Sequence, residues 1–176
     1  MNETVRLHQA KRTDLTMIND MLIQTVLWLQ SQGSSQWSGI LEGQDNHNTA
    51  EAINRGEVFY GTINSQTVGM FILWDHQSKW DSSFWGVDKS TDYFYLHRLT
   101  IIRAFSGQGI SSKLLNEAKI YAKSKGKKAI RLDCIADNQY LNKLYQNAGF
   151  VNRGKITNII TDNQKKDFNL YQYDLK

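Results

Sequence analysis

Proline is absent from these 176 residues, where average usage near 5% would place about nine. Slow X-Pro isomerisation therefore has no part in folding. The single cysteine, Cys134, excludes an intramolecular disulfide and a cysteine-built zinc site, and suits a reducing compartment. No run approaches the roughly 18 to 20 apolar residues of a membrane span. The opening Met1-Asn-Glu-Thr is not the charged-then-apolar start of a secretory signal. A cytoplasmic chain with no membrane partner is expected. The charge excess is mild: 21 Lys plus Arg against 17 Asp plus Glu gives +4. Apart from Lys123 to Lys128, expected at a solvated helix end, the lysines are scattered, and a nucleic-acid-binding role rests on that mild charge alone. No nucleic acid is expected as partner. The length and 40% apolar content suffice for one core and one domain, residues 1–176.

The most informative segment is Ser106 to Ser112, SGQGISS. It follows an extended, β-branched stretch, Tyr93 to Ile102, and opens a helical run. On that helix Ile110, Leu114, Leu115, Ala118, Tyr121 and Ala122 share one face, and Lys113, Asn116, Lys119 and Lys123 lie opposite. A strand that turns through two glycines into a helix presents bare N–H groups and the positive dipole end, a cradle for phosphate. Gly107 and Gly109 allow an anion close approach and allow φ > 0. No Gly-Lys-Ser/Thr follows, and the three-glycine dinucleotide spacing is missing, so neither a Walker loop nor a dinucleotide fingerprint is present. A plain helix start capped by Ser106 is the competing explanation.

The remaining periodicities predict strands at Thr4–Gln9, Glu57–Ile63, Thr67–Trp74, Ala129–Ile135, Phe150–Ile156 and Phe168–Leu175. A long helix capped by Thr13 or Asp14 carries Leu15, Ile18, Met21, Leu22, Val26 and Leu29 on one stripe. Ser31 to Asn48 is expected as a loop, Thr49 to Asn54 as a short helix, and Asn64-Ser65-Gln66 as a hairpin turn. Asp75 to Thr91, polar yet holding Trp80, Phe84 and Trp85, is expected as a long loop. A last helix begins at Asn138, carries Leu141, Leu144, Tyr145 and Ala148 on one face, and stops at Gly149-Phe150. The order is β-α-α-β-β-β-α-β-α-β-β, an α/β mixed sheet with helices on both faces.

Ser106-Gly107-Gln108-Gly109-Ile110-Ser111, then Asn138 and Tyr145-Gln-Asn-Ala-Gly149-Phe150, resemble in order and distance the signature of the GCN5-related N-acetyltransferase family. That signature is Q/R-x-x-G-x-G/A at a strand-to-helix turn, followed by an Asn-containing helix ending in Tyr-x-x-x-Gly-Phe. The likeness is specific over roughly residues 93 to 156. Ser106 stands where the family usually has Arg or Gln, and Ser111 where it has Gly or Ala. The resemblance implies a mostly antiparallel sheet in which one central parallel pair, Tyr93–Ile102 with Ala129–Ile135, splays apart. It also implies an acetyl-CoA-dependent N-acetyltransferase acting on a small-molecule or peptide amine, without a metal, as monomer or homodimer.

By that resemblance the backbone amides of Ser106, Gly107, Gln108, Gly109, Ile110, Ser111 and Ser112 hold the diphosphate of coenzyme A, and Leu99, Thr100 and Ile101 offer backbone groups to its pantetheine arm and acyl oxygen. Asn138 also binds the arm, or else is a helix N-cap. Tyr145 is the candidate acid: a phenol of pKa near 10 can protonate a departing thiolate near 8.5. A core aromatic is its alternative. His97 is the candidate base, with Asp133 competing, and either could instead be structural. Cys134 offers a covalent route, or ordinary packing. Trp37, Trp80, Phe84 and Trp85 line an acceptor pocket or fill the core. The rival function is a coenzyme A-binding sensor of the same fold without turnover.

Overall fold

The computed structural model describes residues 4–43, 48–161 and 163–176. The first three residues and the 44–47 part of the expected loop lie outside them. Seven strands form one sheet in the order β1-β2-β3-β4-β5-β7-β6: β1 (Arg6–Gln9), β2 (Val58–Ile63), β3 (Gln66–Trp74), β4 (Tyr93–Ile101), β5 (Ala129–Ile135), β6 (Val151–Thr161) and β7 (Gln164–Asp174). The helices are α1 (Leu15–Ser31), α2 (Thr49–Asn54), α3 (Lys79–Trp85), α4 (Ile110–Ser124) and α5 (Gln139–Asn147). β1 with β2, β2 with β3, β5 with β7 and β6 with β7 run antiparallel, and β4 with β5 runs parallel. The chain falls into two compact units, Met1–Ile72 with Arg98–Leu114 and Leu73–His97 with Leu115–Lys176.

In the first unit α1 buries Ile18, Met21, Leu22 and Val26, four of the stripe residues expected from the 3.6 period. It begins after a 3-10 turn at Arg12–Asp14, and Asp14 uses its carboxylate on the Lys11 N–H at 2.8 Å rather than on the helix. β2 and β3 close on Asn64 and Ser65, both at positive φ (50° and 66°), the two-residue hairpin geometry that matches strand twist. Gly69 on β3 is where the packing is tightest. A Cβ there would stand 2.4 Å from the Thr100 carbonyl oxygen and 2.8 Å from a Leu114 methyl.

The second unit departs from expectation in two places. The segment expected as one long loop contains α3, started by Ser78: its Oγ accepts from the Asp81 N–H at 3.1 Å while the Asp81 carboxylate accepts from the Ser78 N–H at 3.2 Å. This reciprocal capping satisfies two otherwise orphaned donors. The last two strands are also longer than alternation predicts. β6 crosses register shifts at Asn152/Gly154 and Ile156/Ile159, and a bulge inverts the in–out pattern and hides a strand from period-2 counting. Asn158, at φ 59°, sits in the second shift.

The parallel pairing of β4 with β5 covers three residues, Tyr93 with Ala129, Phe94 with Ile130 and Tyr95 with Arg131. β5 runs on to Ile135 and stays paired to β7 along its whole length, so Leu96 and His97 lie beyond the last rung. Arg131 secures that rung. Its guanidinium sits 3.7 Å from the Tyr93 ring and 4.6 Å from the Trp85 ring, donating to the Tyr95 hydroxyl and Gln172 Oε1, each at 3.0 Å.

Gly69→Ala is expected to lower stability by about 1–3 kcal/mol, the cost of overpacking against backbone that cannot yield. Chemical denaturation checks this, and an unchanged midpoint would contradict the close packing.

Candidate active site

The backbone candidates all lie in the first unit. β4 ends at Ile101, a 3-10 turn spans Arg103–Phe105, and the turn residues 106–109 lead into α4. Gly107 and Gly109 adopt φ 79° and 72°, a conformation other residues reach only with strain. A Cβ at either position would meet nothing within 4 Å, so the space in front of the turn is open. The first intrahelical bond runs from the Lys113 N–H to the Gly109 carbonyl at 3.2 Å. The N–H groups of Gly109, Ile110, Ser111 and Ser112 are therefore the four that a helix leaves without an intrahelical partner. Ser106 does not act as a side-chain cap here; its Oγ accepts from Arg103 Nη2 at 2.9 Å. Ser111 and Ser112 belong to the first turn of α4 and not to the loop before it.

Leu99, Thr100 and Ile101 form the last part of β4. Just before them Arg98 adopts φ 54°, unusual for a residue with a long side chain and a strained kink within a strand. The Thr100 hydroxyl, which is buried, donates to the Arg98 carbonyl at 3.0 Å.

The side-chain candidates other than Trp37 lie in the second unit. His97 Nε2 is 3.1 Å from the Asp81 carboxylate, which also accepts from the Ser78 hydroxyl at 3.0 Å. Asp81 is 1% exposed. Its role as helix cap fixes its carboxylate, and the carboxylate in turn fixes the imidazole. The Trp74 ring packs 4.9 Å from the imidazole. Asp133 accepts from Trp80 Nε1 at 3.0 Å, and burial pushes its carboxyl up to about 6, against the opposing pull of His97 and the Trp80 hydrogen bond. One ligand-type atom each from Asp81, His97 and Asp133 lies within 4.8 Å of the others, a spacing that a cation could use, although Ser78 and Trp80 already engage the two carboxylates.

Tyr145 is 6% exposed, between Phe150 and Tyr171 at 6.0 and 5.9 Å ring to ring. Among the described residues its hydroxyl makes no hydrogen bond. Burial, then the charges of Cys134 and Asp133, hold its pKa well above the ordinary phenol value, so the group keeps its proton. Asn138 caps α5, accepting from the Leu141 N–H at 3.0 Å, which is the structural alternative stated for it.

For Cys134 the structure matches ordinary packing, not the covalent route. The residue is 4% exposed, and burial with Asp133 and Asp137 nearby pushes its thiol up to about 12. The thiolate required of a nucleophile is not available near neutral pH. Trp80 and Trp85 pack against a buried cluster of Phe84, Phe168 and Leu170, and Trp37 sits half-buried at φ 62° in the first unit.

Sequence reasoning missed four residues that the structure makes central: Asp81, Arg103, Arg131 and Asn142. The buried Asn142 amide donates to the Ile135 carbonyl at 3.0 Å and to the Asn138 carbonyl at 2.8 Å. Its oxygen accepts from Tyr171 at 2.7 Å and Asn169 at 2.8 Å. The readable signal was a polar residue on the apolar face of α5.

Residues 24–150 match the model of the acetyltransferase (GNAT) family. The chain belongs to that family. This N-acetyltransferase is 37% identical over 137 residues to the uncharacterized N-acetyltransferase YesJ of Bacillus subtilis strain 168, covering 78% of this chain and 76% of that one. A GNAT-family acetyltransferase structure from Listeria monocytogenes 4b F2365 superposes with TM-score 0.78 at 34% identity, covering 99% of both chains. The fold is shared as well with yncA of Salmonella typhimurium, solved with its cofactor acetyl-CoA, at TM-score 0.72 and 17% identity over 98% of this chain and 95% of that one. Among the described residues no helix is long and apolar enough to cross a membrane.

The raised Asp133 pKa fixes a pH dependence. Below about pH 4 both folded and unfolded states hold the proton. Between about 4 and 6 the unfolded chain ionises first, so stability falls as pH rises through that window. Asp133→Asn removes this loss and is expected to stabilise the protein by roughly 3 kcal/mol at pH 7.5 and by far less at pH 4. Thermal melts at the two pH values check it. A variant offset that is equal at both would refute the burial of a charged carboxylate.

Proposed function

We propose that the chain, read as one acetyltransferase domain over residues 1–176, transfers the acetyl group of acetyl-CoA directly to a primary amine of a small molecule or peptide. The observation that carries this is the open turn at Gly107–Gly109, ahead of the four N–H groups that precede the first intrahelical bond of α4, in a chain of the GNAT family. The residues fit the diphosphate, because both glycines leave room where a Cβ would stand and the N–H groups of a helix start are donors suited to phosphate oxygens. When bound, acetyl-CoA supplies an activated acyl group as its thioester.

The protein's own groups then have separate tasks. The N–H groups from Gly107 to Ser112, with Ser106 at the head of the turn, hold the phosphates. Backbone groups of Leu99, Thr100 and Ile101 align the arm, and one N–H among them stabilises charge developing on the acyl oxygen. His97, held beside Asp81, takes a proton from the acceptor amine as the N–C bond forms. Tyr145 delivers its proton to the sulfur as the C–S bond breaks. Burial keeps the phenol protonated before the thiolate forms and also makes it a weaker acid, so its proton moves only to a sulfur held against the hydroxyl. Asn138 contributes by starting α5 and so placing Tyr145 two turns on, a positioning task its capping bond supports. No step needs a metal, and nothing in the reading calls for a membrane or a nucleic acid. The buried reduced Cys134 thiol is in keeping with the cytoplasm.

Thiol release from acetyl-CoA, measured across a panel of amines, tests the reading. Turnover with at least one amine is expected, unchanged by EDTA. Tyr145→Phe should lower kcat by about 100-fold or more while coenzyme A affinity holds. Binding of acetyl-CoA without thiol release for any amine would favour a sensor module instead, and full activity in Tyr145→Phe would remove this residue from the chemistry.

A further inference from the structure

The diphosphate cradle of the first unit carries a tethered cation that the family signature does not place. Ser106 occupies the position where a basic or amide side chain is usual in the resemblance, so the turn's first residue brings no charge of its own. Arg103 lies three residues earlier, on the 3-10 turn after β4. It is joined to Ser106 twice: the Ser106 N–H donates to the Arg103 carbonyl at 3.0 Å, and Arg103 Nη2 donates to Ser106 Oγ at 2.9 Å. Its guanidinium also lies 3.8 Å from the centre of the Trp28 ring of α1. Stacked on that ring face, the guanidinium is held by an aromatic contact that uses none of its N–H donors.

Arg103 is exposed, and among the described residues no carboxylate pairs with it. A guanidinium has five N–H donors in a rigid fork. One is spent on Ser106, and the rest have no protein acceptor among the described residues. An arginine that served only to brace α1 against the turn would need neither an unpaired charge nor a bond to the leading residue of an anion cradle. Charge-assisted donation to phosphate oxygens is the chemistry that this arrangement prepares.

We propose that Arg103 is a diphosphate-binding residue, prepositioned by Trp28 and Ser106, which supplies the positive charge that Ser106 lacks. The proposal rests on the acetyl-CoA reading above. It assigns Arg103 to the diphosphate and not to the 3′-phosphate of the nucleotide, because the tether is to the first residue of the glycine turn. Trp28 acts through Arg103 as a positioning residue.

Calorimetric titration of the full chain with coenzyme A and with 3′-dephospho-coenzyme A, at two ionic strengths, tests it. Arg103→Gln should weaken both ligands alike, by about 10- to 100-fold, and should flatten the salt dependence of binding relative to the parent. Arg103→Lys should recover part of the affinity through its charge, and Trp28→Leu should lose less than Arg103→Gln. Unchanged melting of Arg103→Gln is expected, as the side chain is exposed. If the parent binds coenzyme A and Arg103→Gln matches it, the assignment falls while the functional reading stands. A loss confined to coenzyme A, with the dephospho ligand unaffected, would also overturn it by moving the contact to the 3′-phosphate. If the parent binds neither ligand, the functional reading falls and takes this assignment with it.

Discussion

The structure turns on a ladder that stops early. Three parallel rungs join β4 to β5, and the guanidinium of Arg131 closes the third between two aromatic rings, a phenol and a glutamine amide. Parallel strands usually continue pairing for as long as both remain extended, because each abandoned rung leaves backbone donors and acceptors to be satisfied elsewhere. β5 meets that demand on one edge only, through β7. On β4, the strand passes from His97 into Arg98 at φ 54°, a local twist that takes the next residues out of plain strand geometry. Beyond the last rung lie His97 on one strand and Asp133 on the other.

Around His97 the same economy recurs. Asp81 is at once the acidic member of the capping box that Ser78 begins and the partner of the imidazole, so one buried carboxylate ties the start of α3 to a histidine on β4. Burial raises the Asp133 carboxyl to about 6, so it ionises later than an exposed carboxylate; its neighbours Cys134 and Tyr145 are held in their protonated forms by burial first and by nearby charge, that of Asp133 included, second. A site with a fixed imidazole, a protonated phenol and an inert thiol is suited to moving protons and unsuited to forming a thioester on the protein.

What the sequence disclosed follows from which forces are local. The α1 stripe, the Gly107–Gly109 turn, the Thr49–Asn54 helix and the start of α5 at Asn138 depend on periodicity, on positive φ and on capping, all written in adjacent residues. The GNAT likeness came from the same kind of information. α3 was missed although Ser78 and Asp81 spell a cap, because the aromatic, polar segment around them has no clear period over seven residues. The extent of β6 and β7 was missed because bulges break alternation. Asp81 and Arg103 escaped notice for a different reason: their meaning lies in partners 16 residues away on the strand and on a distant helix, which spacing along the chain does not encode.

The whole account depends on main-chain amides between Gly107 and Ser112 receiving a diphosphate. Amide chemical shifts of the uniformly labelled protein, followed as coenzyme A is added, observe those groups individually. The account predicts saturable shifts at Gly107, Gly109, Ser111 and Ser112, accompanied by Leu99 to Ile101, with α2 unmoved. Saturable binding that left the glycine turn unshifted, or a turn that stayed silent at every concentration, would contradict it.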